Sequence, residues 1–261
     1  MRYFLEACCT DAVGAVTAQR NGAARVELCS ELDIGGVTPS ENLIRQTLLS
    51  LAEDSLSSIT PVDNATPIPV NVLVRPRDGD FVYSEEEILQ TLAGIEMCKF
   101  LSVRDSAGSE HRINGVVVGA LRPDGGIDMK AMRRLVAAAR PLQVTFHRAF
   151  DECADVDRCL EDVIALGCER LLTSGHAPDA FEGRFTLARL VRRAAGRIVI
   201  LAGRGIRPHN IAAIASAISS TTSTSPISTP SSFPTSSIDT HSSGTSVSVA
   251  FEFHSSVLIG W

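Results

Sequence analysis

Residues 3–29, YFLEACCTDAVGAVTAQRNGAARVELC, contain one full unit of the pattern that decides the fold. A short apolar run, Tyr3–Ala7, is followed by the stretch Asp11–Asn21, in which apolar residues recur every three or four positions. This spacing predicts a strand and then a helix. Gly22 follows the helical stretch, where a left-handed glycine commonly ends a helix, and a second strand-like run begins at Arg25. Strand, helix and strand in this order predict two neighbouring parallel strands.

The same alternation continues along the chain and predicts eight strands. Helical patterns such as Met129–Ala139 lie between the strands, and Asp128 precedes this one as a candidate N-cap. Gly167 and Gly196 repeat the position of Gly22 between a helix and a strand. Eight such units predict an α/β fold of the closed (β/α)8 TIM barrel type, with an open sheet of six strands as the alternative. The predicted strands are Tyr3–Ala7, Arg25–Cys29, Val70–Arg75, Gly115–Gly119, Gln143–His147, Arg170–Ser174, Arg197–Ala202 and Ser246–His254.

The composition is typical of one soluble domain, which we expect to span residues 1–261. Hydrophobic residues make up 44% of the chain and charged residues 21%, as in ordinary globular proteins. The net charge of -6 argues against nucleic acid and anionic lipid as partners, because both require a basic surface. No run of about 18 apolar residues or signal peptide is present. The seven cysteines include no CxxC pair and predict reduced thiols in the cytoplasm.

Three polar stretches interrupt the repeating pattern. Glu53–Pro67 and Ser102–Arg112 are predicted to be loops, and the Ser/Thr-rich insertion Ser216–Ser248 is predicted to be disordered, because it offers too little apolar surface to offset its ordering entropy. Each stretch precedes a strand, so all three are expected on the face of the barrel opposite the site. Few residues follow the eighth strand, and the barrel is therefore predicted to be incompletely closed at its C-terminal end.

Polar residues cluster at the C-terminal ends of the predicted strands, where TIM barrels carry their sites. Glu6 and Cys8 are two residues apart, as are Glu27 and Cys29, so each pair shares one face of its strand. This repeated Glu-x-Cys pattern predicts two carboxylates and two thiols side by side. Two thiols on adjacent strands suit Cu(I), which favours sulfur ligands. The alternative for each cysteine is simple packing in the core.

Charged residues at the ends of other strands predict a site for a small anion. Arg75 and Arg77 are candidates for binding the anion, and Glu27, His147 and Arg75 are candidate catalytic residues. A structural salt bridge at the end of the barrel is the alternative. Whether the chain catalyses a reaction stays open. The other candidate ligand contacts are Glu6, Asp80, Arg148 and Ser174.

The turn Gly203-Arg204-Gly205 follows the seventh strand and leads into a helix near Pro208. Backbone N–H groups of Gly203 and Gly205 could bind a phosphate at this position, as many barrels do. A plain tight turn is the alternative.

Several strings in this chain resemble the CutC family of copper homeostasis proteins in order and spacing. The resemblance covers about residues 3–215 and resumes at Glu252–Ser256, which adds His254 to the candidate ligand contacts. Arg204 and the Ser/Thr-rich insertion depart from the family pattern. The strings are LEAC (5–8), RVELCS (25–30), GGVTPS (35–40), VRPRDGDFVYS (74–84), GAL (119–121), VTFHRAFD (144–151) and LTSG (172–175).

The resemblance implies a cytosolic (β/α)8 barrel that forms a homo-oligomer and takes part in copper homeostasis. It also implies that Cys8 and Cys29 bind copper as Cu(I). The alternative function is that of a TIM-barrel enzyme acting on a small anionic or phosphorylated metabolite, as the charged strand ends indicate.

Overall fold

The computed structural model describes residues 4–57, 66–220 and 251–255, and in it eight parallel strands form a closed barrel. The predicted TIM barrel is therefore confirmed over the six-stranded open sheet. The barrel strands are β1 (Leu5–Cys9), β2 (Arg25–Leu28), β3 (Val70–Leu73), β6 (Gly115–Val118), β7 (Gln143–Phe146), β8 (Arg170–Thr173), β9 (Val199–Ala202) and β10 (Phe251–Ser255). The helices that follow them are α1 (Ala12–Arg20), α2 (Glu41–Ser57), α3 (Glu85–Phe100), α4 (Met129–Ala139), α5 (Val156–Ala165), α6 (Arg184–Ala194) and α7 (Pro208–Ser220).

The last strand closes the barrel, so the predicted incomplete closure is wrong. Strand β10 pairs with β9 through Phe251 and Ile200, and with β1 through Phe253 and Leu5. The buried Phe253 side chain joins the hydrophobic core. A few residues of a last strand are therefore enough to complete the hydrogen-bonded ring.

The helix ends follow the sequence signals. Asp11 caps α1 by accepting a hydrogen bond from the Gly14 N–H at 2.7 Å. Asp128 caps α4 as predicted, because it accepts from the N–H groups of Lys130 and Ala131 at 3.1 and 3.0 Å. Gly22, a predicted C-cap, has a φ of 80°, which a residue with a side chain adopts only with strain.

The structure corrects the two predicted loops, and it shows a helix in the first few residues of the predicted disordered insertion. Helix α2 continues to Ser57, because Asp54 is buried and binds Arg20 and Gln19 of α1. Instead of a plain loop, Ser102–Arg112 forms an antiparallel hairpin of β4 (Ser102–Arg104) and β5 (Glu110–Arg112).

Helix α7 extends into the Ser/Thr-rich insertion as far as Ser220, with Ile218 buried against the core. The remaining parts of these stretches, residues 58–65 and 221–248, lie outside the described residues. In the part of the chain that the structure describes, none of the helices has the length and apolar character needed to span a bilayer.

Charged side chains, rather than apolar ones, fill part of the barrel interior. Arg25 on β2 forms ion pairs with Glu6 on β1 and with Glu252 on β10, and all three side chains are at most 14% exposed. Arg170 on β8 lies 3.4 Å from the same Glu252 carboxylate. Asn71 on β3 donates to Glu6 at 3.4 Å. This interior ion cluster links five of the eight strands, including the one that closes the barrel.

We predict that Arg25→Met destabilises the protein by about 3–5 kcal/mol, because it removes the cation that two buried carboxylates share. Equilibrium urea unfolding measures this change. The matched control is Arg134→Met, which removes an exposed ion pair with Glu85 and should leave the stability nearly unchanged, because exposed ion pairs contribute little. Equal losses of stability in the two variants would contradict the role of the interior cluster.

Candidate functional site

A cavity of about 190 Å³ opens at the C-terminal ends of the barrel strands. Its walls come from seven of the strands or the loops that follow them, so distant parts of the sequence meet there. Apolar side chains of Leu73, Phe81 and Leu172 contribute to the walls beside the polar ones. The predicted site residues that line the cavity are Cys8, Glu27, Cys29, Arg75, His147, Arg148, Gly205 and His254.

The two predicted thiols face each other across strands β1 and β2. The Sγ atoms of Cys8 and Cys29 are 3.7 Å apart, and both residues are buried. The strand register is offset, however, so that Cys8 lies beside Glu27 and Glu6 lies beside Arg25. The expected pairing of the two carboxylates side by side is therefore wrong. Glu6 lies one layer deeper in the barrel, within the interior ion cluster.

His254 connects the interior cluster to the cavity. Its Nδ1 is 2.9 Å from Glu6 Oε1 and 3.7 Å from Glu27 Oε2. Burial alone would raise the pKa of Glu6, but the hydrogen bond with His254 and the charge of Arg25 lower it to about 2. Burial would also lower the pKa of His254, but the Glu27 and Glu6 carboxylates raise it above its usual value. The two carboxylates therefore favour the protonated form of His254.

Glu27 is the least satisfied carboxylate at the cavity. Burial raises its pKa to about 7, and the charge of Glu6 adds to this effect while His254 and Arg25 oppose it. Its Oε2 atom is buried without a hydrogen-bond partner. Glu27 can therefore exchange a proton near neutral pH, which a fully ion-paired carboxylate cannot do.

Arg75 is held in place by carbonyl groups instead of by a carboxylate. Its Nη1 donates to Gly36 O at 3.0 Å and its Nη2 to Gly79 O at 2.7 Å, while Nε is buried without a partner. The guanidinium carbon lies 4.8 Å from the centre of the Phe81 ring. The alternative of a structural salt bridge does not apply to Arg75, because no ion pair with a described carboxylate includes it.

His147 is a neutral hydrogen-bond donor. Its Nδ1 accepts the Ala149 N–H at 3.2 Å, so the ring proton is on Nε2, which is buried without a partner. Burial and the nearby charge of Arg75 lower the pKa of His147 to about 3. The Phe81 ring packs 5.0 Å from the imidazole, centre to centre. At neutral pH His147 can donate this proton but does not carry a charge.

Four predicted site residues make their contacts outside the cavity. Arg77 pairs with Glu87 and, at 2.9 Å, with Asp80, so its guanidinium is already neutralised beside the barrel. Ser174 Oγ donates to Ala177 O at 2.7 Å and thereby holds its own loop. The Gly203 N–H donates to Thr173 O at 3.0 Å as part of the backbone ladder.

Phe81 is the aromatic contact at the cavity, and it was not among the predicted site residues. Phe81 packs against both Arg75 and His147. The turn that follows Arg75 in the sequence was the signal that this part of the chain lies at the ends of the strands. Arg204 lines the cavity from a backbone with a φ of 72°. This departure from the family pattern adds positive charge at the turn that was a candidate for binding phosphate.

A group of possible metal ligands also lies in this cavity. Within the described residues, ligand atoms of Cys8, Glu27 and His254 are all within 4.8 Å of one another. Cys29 adds a second sulfur next to Cys8. Sulfur, imidazole and carboxylate together are suited to a transition metal better than to Mg²⁺ or Ca²⁺, which prefer oxygen.

Comparison with known proteins identifies the family. The model of the CutC family matches residues 3–225. This chain belongs to the CutC family. A CutC protein of Parabacteroides distasonis is 44% identical over 214 residues, covering 82% of this chain and 78% of that protein. A CutC protein of Xylella fastidiosa is 46% identical over 207 residues, covering 79% of this chain and 68% of the relative.

Among solved structures, the CutC copper homeostasis protein of Streptococcus agalactiae matches with a TM-score of 0.70 at 27% identity. The match covers 84% of this CutC chain and 95% of that protein. The family resemblance of the sequence is thus confirmed. As a CutC member, the chain is a copper homeostasis protein by family.

We predict that His147 stays neutral, with its proton on Nε2, throughout the pH range in which the protein is folded. Because its pKa falls from 6.5 to about 3 on folding, its contribution to stability is present above pH 6.5 and decreases as the pH falls toward 3. Two-dimensional ¹H–¹⁵N NMR of the imidazoles checks the tautomer. His147→Gln should flatten the loss of stability over this pH window, and an imidazolium signal from His147 at pH 6 would contradict the prediction.

Proposed function

We propose that this CutC protein binds Cu(I) in the cytoplasm through Cys8 and Cys29. The distance of 3.7 Å between their Sγ atoms carries the proposal. Thiolates bind such ions at about 2.3 Å, so two sulfurs that share one ion can be at most about 4.6 Å apart. The two sulfurs therefore need no large movement to bind a common ion.

The nature of the nearby groups supports a soft monovalent ion. Thiolate ligands select Cu(I) over the harder cations. Glu27 and His254 lie close enough to Cys8 to offer a third ligand. All seven cysteines are free thiols, in keeping with the reducing compartment in which Cu(I) persists.

Copper must displace protons from this site. The hydrogen bond with Cys29, together with burial, raises the pKa of Cys8 well above its usual value, so the thiol is protonated at neutral pH. Metal binding requires the thiolate. The affinity for Cu(I) should therefore increase as the pH rises.

The test is an anaerobic Cu(I) titration against a competing chelator. The wild-type protein should bind one Cu(I) per chain. Loss of even an outer-shell partner of a metal costs about 10–100-fold in affinity, so Cys8→Ala/Cys29→Ala should weaken binding by more than about 100-fold.

Cys9→Ala is the matched control. Cys9 is a buried thiol on the same strand, but it belongs to the apolar core between the strands and the helices. This variant should bind Cu(I) like the wild type. Unchanged affinity in the double variant, or equal losses in the double variant and in Cys9→Ala, would refute the proposed ligands.

A further inference from the structure

Three buried polar atoms without partners belong to residues that line the same cavity. They are Glu27 Oε2, Arg75 Nε and His147 Nε2. Each of the three residues is only 5% exposed. Buried polar atoms in proteins nearly always have a hydrogen-bond partner, and exceptions require an explanation. Because all three residues line one cavity, a ligand bound there would satisfy these atoms.

The charge of Arg75 determines one part of this ligand. A buried cation is costly unless an anion pairs with it. The carbonyl groups of Gly36 and Gly79 orient the guanidinium but carry no net charge. The nearby carboxylates have other cations, because Glu6 pairs with Arg25 and His254. The ligand should therefore present an anionic group to Arg75, and a carboxylate matches the planar guanidinium.

The other two atoms, His147 Nε2 and Glu27 Oε2, indicate a second group on the ligand, next to the anionic one. His147 Nε2–H needs an acceptor, and Glu27 Oε2 lacks a donor. A hydroxyl group does both, since its oxygen accepts one hydrogen bond and its hydrogen is donated to another group. Arg75 and His147 both pack against the Phe81 ring, at 4.8 and 5.0 Å. Because Arg75 and His147 also line the same small cavity, a short molecule that carries both a carboxylate and a hydroxyl fits these contacts.

We propose that the cavity binds a small 2-hydroxy carboxylate. Its carboxylate pairs with Arg75, while its hydroxyl accepts from His147 and donates to Glu27. The cavity of about 190 Å³ is smaller than the roughly 300–1,000 Å³ of sites for drug-sized ligands, so the ligand has only a few carbon atoms. Leu73 and Leu172 provide apolar walls for its carbon chain. The inference does not rest on copper binding, because the ligand uses neither thiol.

Isothermal titration calorimetry of the metal-free protein tests the proposal with four probes: lactate, pyruvate, acetate and inorganic phosphate. Lactate should bind with a Kd of about 1 mM or tighter. Pyruvate lacks the hydroxyl hydrogen and acetate has no oxygen on the carbon next to its carboxylate, so each should bind at least about tenfold more weakly than lactate. Phosphate should also bind more weakly, because it has no apolar part for the leucine walls.

Arg75→Lys and Arg77→Lys form a matched pair of variants on one loop. Arg75→Lys keeps the charge but removes the Nε–H, and it should weaken lactate binding by about tenfold or more. Arg77→Lys should leave binding unchanged, because Arg77 already pairs with Glu87 and Asp80. His147→Leu should weaken lactate more than acetate. Thermal unfolding shows whether each variant is folded, and His147→Leu provides the test should Arg75→Lys be unfolded.

Three results would overturn the proposal. They are no binding of lactate by the wild type, binding of phosphate or acetate as tightly as lactate, and an equal effect of the two arginine substitutions. Cys8→Ala/Cys29→Ala separates this proposal from the copper proposal. That variant should keep its affinity for lactate although it loses Cu(I), and loss of lactate binding in a folded double variant would also count against the proposed contacts.

Discussion

The ion pairs of Arg25 with Glu6 and Glu252 are the interaction on which the rest of this barrel depends. They join β1, β2 and β10 in the interior of the barrel, and they bring together residues more than 200 positions apart in the chain. Without Arg25, the two buried carboxylates would lose the cation that they share, and only His254 beside Glu6 and Arg170 beside Glu252 would remain, at a total cost of about 3–5 kcal/mol. The same cluster positions His254, because Glu6 binds its Nδ1 at 2.9 Å. The last strand is therefore attached to the barrel by the groups that also shape the cavity above it.

This cluster also sets the charge at the cavity. Glu6 stays ionised, with a pKa of about 2, because Arg25 and His254 stabilise its negative charge. Glu27 receives only part of the same positive charge, and burial raises its pKa to about 7. The pKa values of two carboxylates on adjacent strands thus differ because the carboxylates lie at different depths in the barrel. The deeper carboxylate, Glu6, stabilises the fold, whereas Glu27 beside Cys8 can exchange a proton near neutral pH.

Much of the barrel could be predicted from the sequence, because it follows from local signals. The helix start at Asp128 and the left-handed Gly22 each depend on neighbouring residues only. The stagger between strands depends on the closed barrel as a whole. For this reason the sequence predicted Glu6 beside Glu27, whereas in the structure Cys8 lies beside Glu27. Arg75 and Arg77 look equivalent in the sequence. They differ because Glu87, at the start of a helix ten residues later, neutralises only Arg77.

The two proposed ligands of the cavity would oppose each other through charge. When two neutral thiols bind one Cu(I), two protons leave and one positive charge enters, so the cavity gains one negative charge. An anion next to Arg75 then binds in a more negative environment, and the low dielectric of a buried site strengthens this repulsion. Coupling between two binding sites is reciprocal. A carboxylate at Arg75 would therefore weaken copper binding by the same factor by which copper weakens binding of the carboxylate, in addition to any competition of the two ligands for Glu27.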